Sequence, residues 1–80
     1  MAFDYSKLRG RIREVFNTQE NFAKNIEIST VSLSAKLNGK VQFTQVEIAK
    51  SIKMLEIGNS EISDYFFKQK LSLININTNN

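Results

Sequence analysis

The sequence predicts an all-α domain of five helices followed by a C-terminal tail. Its 80 residues suffice for one small domain and leave no room for a second. Proline is absent, 41% of the residues are hydrophobic and 24% are charged, which is typical of a folded, mostly helical chain. Apolar residues recur at helical spacing between polar residues that favour helix ends. We therefore expect one domain over residues 1–70 and a separate tail over 71–80.

The first helix is predicted to begin at Asp4, whose carboxylate can cap it, with Phe3 and Leu8 forming a hydrophobic staple. Apolar residues then recur at i, i+4, i+7 and i+8 and predict one buried face. That face consists of Leu8, Ile12, Val15 and Phe16.

Two short helices follow, separated by a turn of about three residues, which is helix-turn-helix spacing. Thr18 can cap the second helix, at about 18–26, and Ser29 the third, at about 29–37. Asn38 and Gly39 end the third helix, because glycine readily adopts the left-handed conformation. The inward residues are predicted to be Phe22, Ala23, Ile26, Leu33 and Leu37.

A capping box, Thr44 to Glu47, predicts a fourth helix at about 44–56. Its inward face is predicted to hold Ile48, Ile52 and Leu55. Asn59 or Ser60 can cap a fifth helix bearing Ile62, Tyr65 and Phe66. The uncharged tail, residues 71–80, fits either a short strand with a frayed end or a disordered segment.

Missing residue types exclude most catalytic and metal chemistry. Histidine and cysteine are both absent, so the chain has no zinc-finger ligands, thiol nucleophile or imidazole base. We expect no enzyme activity, no cofactor, no metal and no small-molecule substrate. No apolar run reaches the roughly 18–20 residues of a membrane span, and no signal-peptide core is present. A cytoplasmic protein without membrane contact is expected.

The net charge of +3 is concentrated in the first half of the chain. Residues 1–16 carry +2, residues 17–43 carry +1, and residues 44–80 are balanced. No acidic residue occurs between Glu27 and Glu47, as a surface that faces phosphates requires. A solvated face bearing lysines would show the same pattern.

Residues 18–40 resemble the helix-turn-helix of the lambda-repressor/Cro superfamily. The matching positions are Gln19, Ala23, Ile26, Ile28, Ser29, Leu33, Ser34, Asn38 and Gly39. Over about residues 3–70 the chain resembles a small phage or prophage Cro-like regulator. Glu27 departs from the pattern, because the superfamily has a turn glycine there, so either the turn is strained or its geometry differs. Lys36 stands where relatives often have a large apolar residue, and its ammonium is expected to point outward toward a phosphate.

The resemblance implies that the third helix reads the DNA major groove. With Leu33 and Leu37 inward, the outward residues are Thr30, Val31, Ser34 and Ala35. These residues offer no bidentate contacts, so we expect specificity from thymine methyl groups, DNA shape and flanking polar residues, especially Gln42. The predicted phosphate contacts are Gln19, Lys36, Asn38 and Lys40. Simple helix capping is the alternative role for Gln19 and Asn38.

The predicted function is a Cro-like transcriptional regulator that binds a pseudo-palindromic, double-stranded DNA operator as a homodimer. Such a protein works at the nucleoid of a bacterial cell or phage-infected host. A second hypothesis keeps the fold but assigns it to a protein-interaction module, such as an antitoxin or antirepressor. An unrelated helical bundle is a third. The predicted dimer interface comprises Tyr65, Phe66, Phe67, Leu71 and Leu73, with core packing as the alternative for Phe66.

Overall fold

The computed structural model describes residues 3–70 and confirms an all-α fold of five helices. A single turn of 3-10 helix at Asn59–Glu61 precedes the last helix. Between residues 3 and 70, β pairing is confined to one isolated bridge, Phe3 with Gln69. The tail, residues 71–80, lies outside the described residues. The helices are α1 (Ser6–Phe16), α2 (Gln19–Asn25), α3 (Thr30–Leu37), α4 (Gln45–Met54) and α5 (Ile62–Phe66).

Buried hydrophobic residues of α1, α2, α3 and α5 form one core. Helix α4 lies at the edge of this core, and buried residues that follow α4 complete it. Leu8, Phe22 and Leu33 are fully buried and bring α1, α2 and α3 together. Leu55 and Ile57 enter the core after the end of α4, while Ile48 and Ile52 pack against its edge. The remaining buried hydrophobic residues are Tyr5, Ile12, Ala23, Ile26, Leu37, Tyr65 and Phe66.

The three middle helices begin where their side-chain caps predict. The Thr18 hydroxyl accepts a hydrogen bond from the Asn21 amide at 3.1 Å, and Ser29 accepts one from Ser32 at 3.0 Å. At the start of α4, the Thr44 hydroxyl accepts from the amide of Glu47, whose carboxylate accepts from the Thr44 amide. The predicted capping box is therefore confirmed. Caps of this type each stabilise a helix by about 1 kcal/mol.

The predicted beginnings of α1 and α5 are wrong. The Asp4 amide donates to the Lys68 carbonyl at 2.7 Å, and this contact between distant segments places the residue outside the helix. Its carboxylate still accepts from the Ser6 amide at 2.9 Å, but Tyr5 is the N-cap and α1 begins at Ser6. No side chain caps α5, which continues instead from the 3-10 turn.

Two further predictions about helix faces and ends need correction. Val15 is 42% exposed rather than buried, because it lies in the last turn of α1, beyond Leu8 and Ile12, which form that helix's buried contact. The fourth helix ends at Met54, and Glu56 then adopts a left-handed conformation that cannot continue the helix.

The turn between α2 and α3 keeps a left-handed residue although it lacks glycine. Glu27 has φ +66°, a conformation that costs a non-glycine residue free energy. The Lys50 ammonium on α4 donates to the Glu27 carboxylate, and this hydrogen bond and the positive charge lower the pKa of Glu27. The side chain thus links the turn to α4, a contact that glycine could not make.

Candidate nucleic-acid interface

The outward face of α3 forms a groove of about 330 Å³. Leu33 and Leu37 are buried at 0% and 4% exposure on the opposite face, which fixes the rotation of the helix. Four of the five residues predicted to contact bases share this groove with two of the four predicted phosphate contacts. Its lining comprises Thr30, Val31, Ser34, Ala35, Asn38 and Lys40.

The groove presents small side chains. Thr30 and Val31 are exposed, with Val31 at 80%, and Ser34 and Ala35 are half-buried. Hydroxyl groups can donate to or accept from base edges, and the methyl groups of Val31 and Ala35 suit contact with a thymine methyl. A helix with such a face can approach a flat or grooved partner closely.

The C-terminal end of α3 is fastened to α1 by Arg9. Its guanidinium Nη2 lies 2.9 Å from the Leu37 carbonyl oxygen and 2.7 Å from Asn38 Oδ1. Gly39 follows with φ +78° and ends the helix as predicted. No local pattern predicts the contact between Arg9 and Asn38, because 29 positions separate the two residues.

Gln19 occupies a different cleft from the α3 groove. It is half-buried and lines a cavity of about 470 Å³ together with Arg9, Arg13 and Thr18. Thr18, and not Gln19, caps α2. Within residues 3–70 the Gln19 side chain makes no hydrogen bond, so capping does not account for it.

Lys36 contradicts the prediction that its ammonium points outward to a phosphate. The residue is only 5% exposed, and Nζ lies 2.9 Å from Glu47 Oε1 and 3.3 Å from the Gln42 carbonyl oxygen. Lys36 lies one turn after the buried Leu33, on the side of α3 that faces the α4 capping box. Burial acts to raise the pKa of Glu47, but hydrogen bonds from Lys36 and Thr44 and the lysine charge outweigh it and lower that pKa. Lys36 is therefore part of the interior.

Gln42 is exposed, but it does not line the α3 groove. It lies beside a small cleft bordered by Tyr5, Phe43 and Phe66. Its backbone carbonyl is held by Lys36, which makes the only hydrogen bond to the backbone of residues 41–43 within the described part of the chain.

The predicted dimer residues do not form one exposed surface. Tyr65 and Phe66 are buried at 8% and 2% exposure, since α5 inserts them into the core of the same chain. Assigning them to a dimer interface is therefore wrong. Phe67 is 48% exposed and packs edge-on against Phe3. Leu71 and Leu73 lie outside the described residues.

Lys70 is a cation near the groove that sequence reasoning missed. It lines a cleft with Arg9, Asn38 and Gly39, and it shares the cleft with Asp4. Hydrogen bonds from Ser6, followed by the charges of Lys68 and Lys70, lower the pKa of the Asp4 carboxyl. With Lys36 buried, the cations at this end of α3 are Lys40 on the groove, Lys70 beside it and Arg9 on the helix end.

Residues 3–70 contain neither a cluster of metal ligands nor a membrane-spanning helix. No group of three or more carboxylate, histidine or cysteine side chains in this part of the chain could hold a metal ion. No described helix has the length and apolarity to cross a membrane.

Comparison with known proteins places the chain in a family. Residues 1–69 match the family described as "Protein of unknown function (DUF739)". The chain belongs to the DUF739 family. No curated protein sequence matches it.

A solved structure resembles this DUF739 chain over most of its length. It is the solution structure of the modulator of repression (MOR) of the temperate bacteriophage TP901-1 from Lactococcus lactis. The two chains are 42% identical, and the match covers 90% of this DUF739 protein and 97% of MOR, with a TM-score of 0.73. The DUF739 chain is thus a homologue of a small phage regulatory protein.

Proposed function

We propose that this chain is a sequence-specific, Cro-like transcriptional regulator that binds a double-stranded DNA operator. Residues 1–70 form its helix-turn-helix domain, in which α2 crosses the DNA backbone and α3 enters the major groove. The observation that carries the proposal is the α3 groove, where Thr30, Val31, Ser34 and Ala35 adjoin Asn38 and Lys40. The similarity to a modulator of repression agrees with a regulatory role.

In this proposal, α3 fits closely into the DNA major groove, and neighbouring segments contact the phosphates. Asn38 and Lys40 lie at the end of the groove, and Gln19 lies in the cleft between α1 and α2. Gln42 is proposed to contact a base from the loop after α3. A homodimer on a pseudo-palindrome would place its two α3 helices about 34 Å apart. Such a regulator acts in the cytoplasm at the nucleoid.

Fluorescence anisotropy with duplexes covering the DNA beside the gene tests the proposal. We expect one duplex to bind specifically, with log K falling steeply as log salt rises. Val31→Glu should abolish this binding and leave the melting temperature unchanged, because Val31 is 80% exposed. Ala35→Lys should also abolish it. The control, Met54→Glu, places the same new charge at the far end of α4 and should retain specific binding.

A second function, a protein-binding regulator such as an antirepressor or antitoxin, is favoured by one observation. Val31 is an apolar side chain left 80% exposed, in a groove that offers no arginine to a base. In that case the groove would receive another protein. Salt-independent binding, or equal binding to every duplex, would reject the operator function and leave this alternative.

A further inference from the structure

In the hydrogen bond between Arg9 and Asn38, only Arg9 can be the donor. A guanidinium can only donate hydrogen bonds, so the Asn38 atom 2.7 Å from Arg9 Nη2 is the amide oxygen. The amide nitrogen must then point away from Arg9. The same Nη2 also donates to the Leu37 carbonyl at 2.9 Å, which fixes the guanidinium on the end of α3.

The Asn38 amide nitrogen remains available to a ligand. Its partner within residues 3–70 is the Ser34 hydroxyl at 3.5 Å, a long contact that leaves its hydrogen atoms largely unused. Asn38 is exposed and lines the α3 groove beside Lys40. A donor next to a cation suits an anionic oxygen.

We propose that Arg9 is a positioning residue that holds Asn38 as a hydrogen-bond donor to a DNA phosphate. This inference rests on the proposed DNA-binding function. It assigns α1 a part in recognition: Arg9 acts through Asn38 and does not itself neutralise a phosphate. The end of α3 and the side chain of its C-cap residue are thereby oriented before DNA arrives.

Asn38→Asp is the sharpest test, because aspartate has nearly the same shape. The aspartate still accepts from Arg9, so the fold is retained, but an anionic oxygen replaces the donor that faces the phosphate. Binding to a labelled duplex of mixed sequence is the measurement, since a phosphate contact does not depend on sequence. Asn38→Ala should weaken binding by about tenfold, the value of a hydrogen bond to a charged group, and Asn38→Asp should weaken it further. Equal binding by Asn38→Asp and wild type would overturn the proposal.

Arg9→Met separates positioning from direct contact. We expect it to weaken binding about as much as Asn38→Ala, and the double variant to be no weaker than either single one to within about twofold. The slope of log K against log salt should not change. If Arg9 contacted a phosphate directly, its removal would lower the magnitude of the slope by about 0.9, as we expect for the reference variant Lys40→Met. Additive losses, or a reduced slope for Arg9→Met, would refute positioning.

A readout without DNA distinguishes this proposal from the function on which it rests. The side-chain amide of Asn38 should show high NMR order in the wild type and lower order in Arg9→Met. Wild-type protein that fails to bind any duplex refutes the DNA-binding function. Protein that binds while Arg9→Met leaves the order of the amide unchanged refutes the role of Arg9 alone.

Discussion

The buried pair of Lys36 and Glu47 predicts a large loss of stability when one partner is removed. The two side chains are 7% and 14% exposed, and their charged atoms are 2.9 Å apart. Lys36→Met keeps the apolar stem but leaves a buried carboxylate without its cation. Breaking a buried pair from one side costs about 3–5 kcal/mol. Glu47 retains its hydrogen bond from Thr44 and some solvent, so we expect about 3 kcal/mol, the lower end of that range.

Thermal and urea denaturation followed by circular dichroism measure this loss. For a domain of this size, about 3 kcal/mol lowers the melting temperature by about 15 °C. The double variant Lys36→Met/Glu47→Gln removes both charges and retains an acceptor for Thr44. It should recover to within about 1 kcal/mol of wild type, because replacing both members of a buried pair is often nearly neutral.

Lys50→Met is the matched control, since it breaks the exposed pair with Glu27. It should cost far less than Lys36→Met. A loss below about 0.5 kcal/mol for Lys36→Met, typical of exposed pairs, would refute the buried pair. A double variant as unstable as Lys36→Met would refute the coupling between the two charges.

Three other predictions concern the turn, acid stability and the tail. The first is made in the Lys50→Met variant, in which the ion pair with Glu27 is already lost. There, Glu27→Gly should raise the melting temperature, because glycine relieves the left-handed strain at position 27. A lower melting temperature would show that this strain is not the dominant effect. Because the pKa of Glu47 is lowered on folding, its stabilising contribution is complete above the ordinary value of 4.5 and is lost as pH falls through the lowered folded value. Urea titrations below pH 4.5 should therefore show a steeper loss of stability in wild type than in Glu47→Gln, and equal slopes would contradict this. Deletion of residues 71–80 should shift sedimentation from dimer to monomer and weaken operator binding, whereas unchanged sedimentation and affinity would exclude the tail as the dimer element.

Features that depend on neighbouring residues were predictable from the sequence. Thr18, Ser29 and Thr44 cap their helices because each cap needs only an amide three residues away. The outward face of α3 followed from the spacing of Leu33 and Leu37, whose burial leaves one side of the helix free.

Features that depend on distant segments could not be predicted. Asp4 bonds to the backbone of Lys68, and this contact moves the start of α1 to Ser6. Lys36 is buried because Glu47 lies opposite it, although its ammonium was expected to point outward to a phosphate. Local spacing contains no information about which carboxylate will meet which lysine.

The division of α3 into two faces also bears on how proteins with this fold diverge. Thr30 and Val31 are exposed, whereas Leu33 and Leu37 are buried and hold the helix in place. A substitution on the outward face therefore changes the surface offered to a partner at little expense to folding. Single substitutions at these exposed positions can therefore change which target is bound, while the packing of the core is kept.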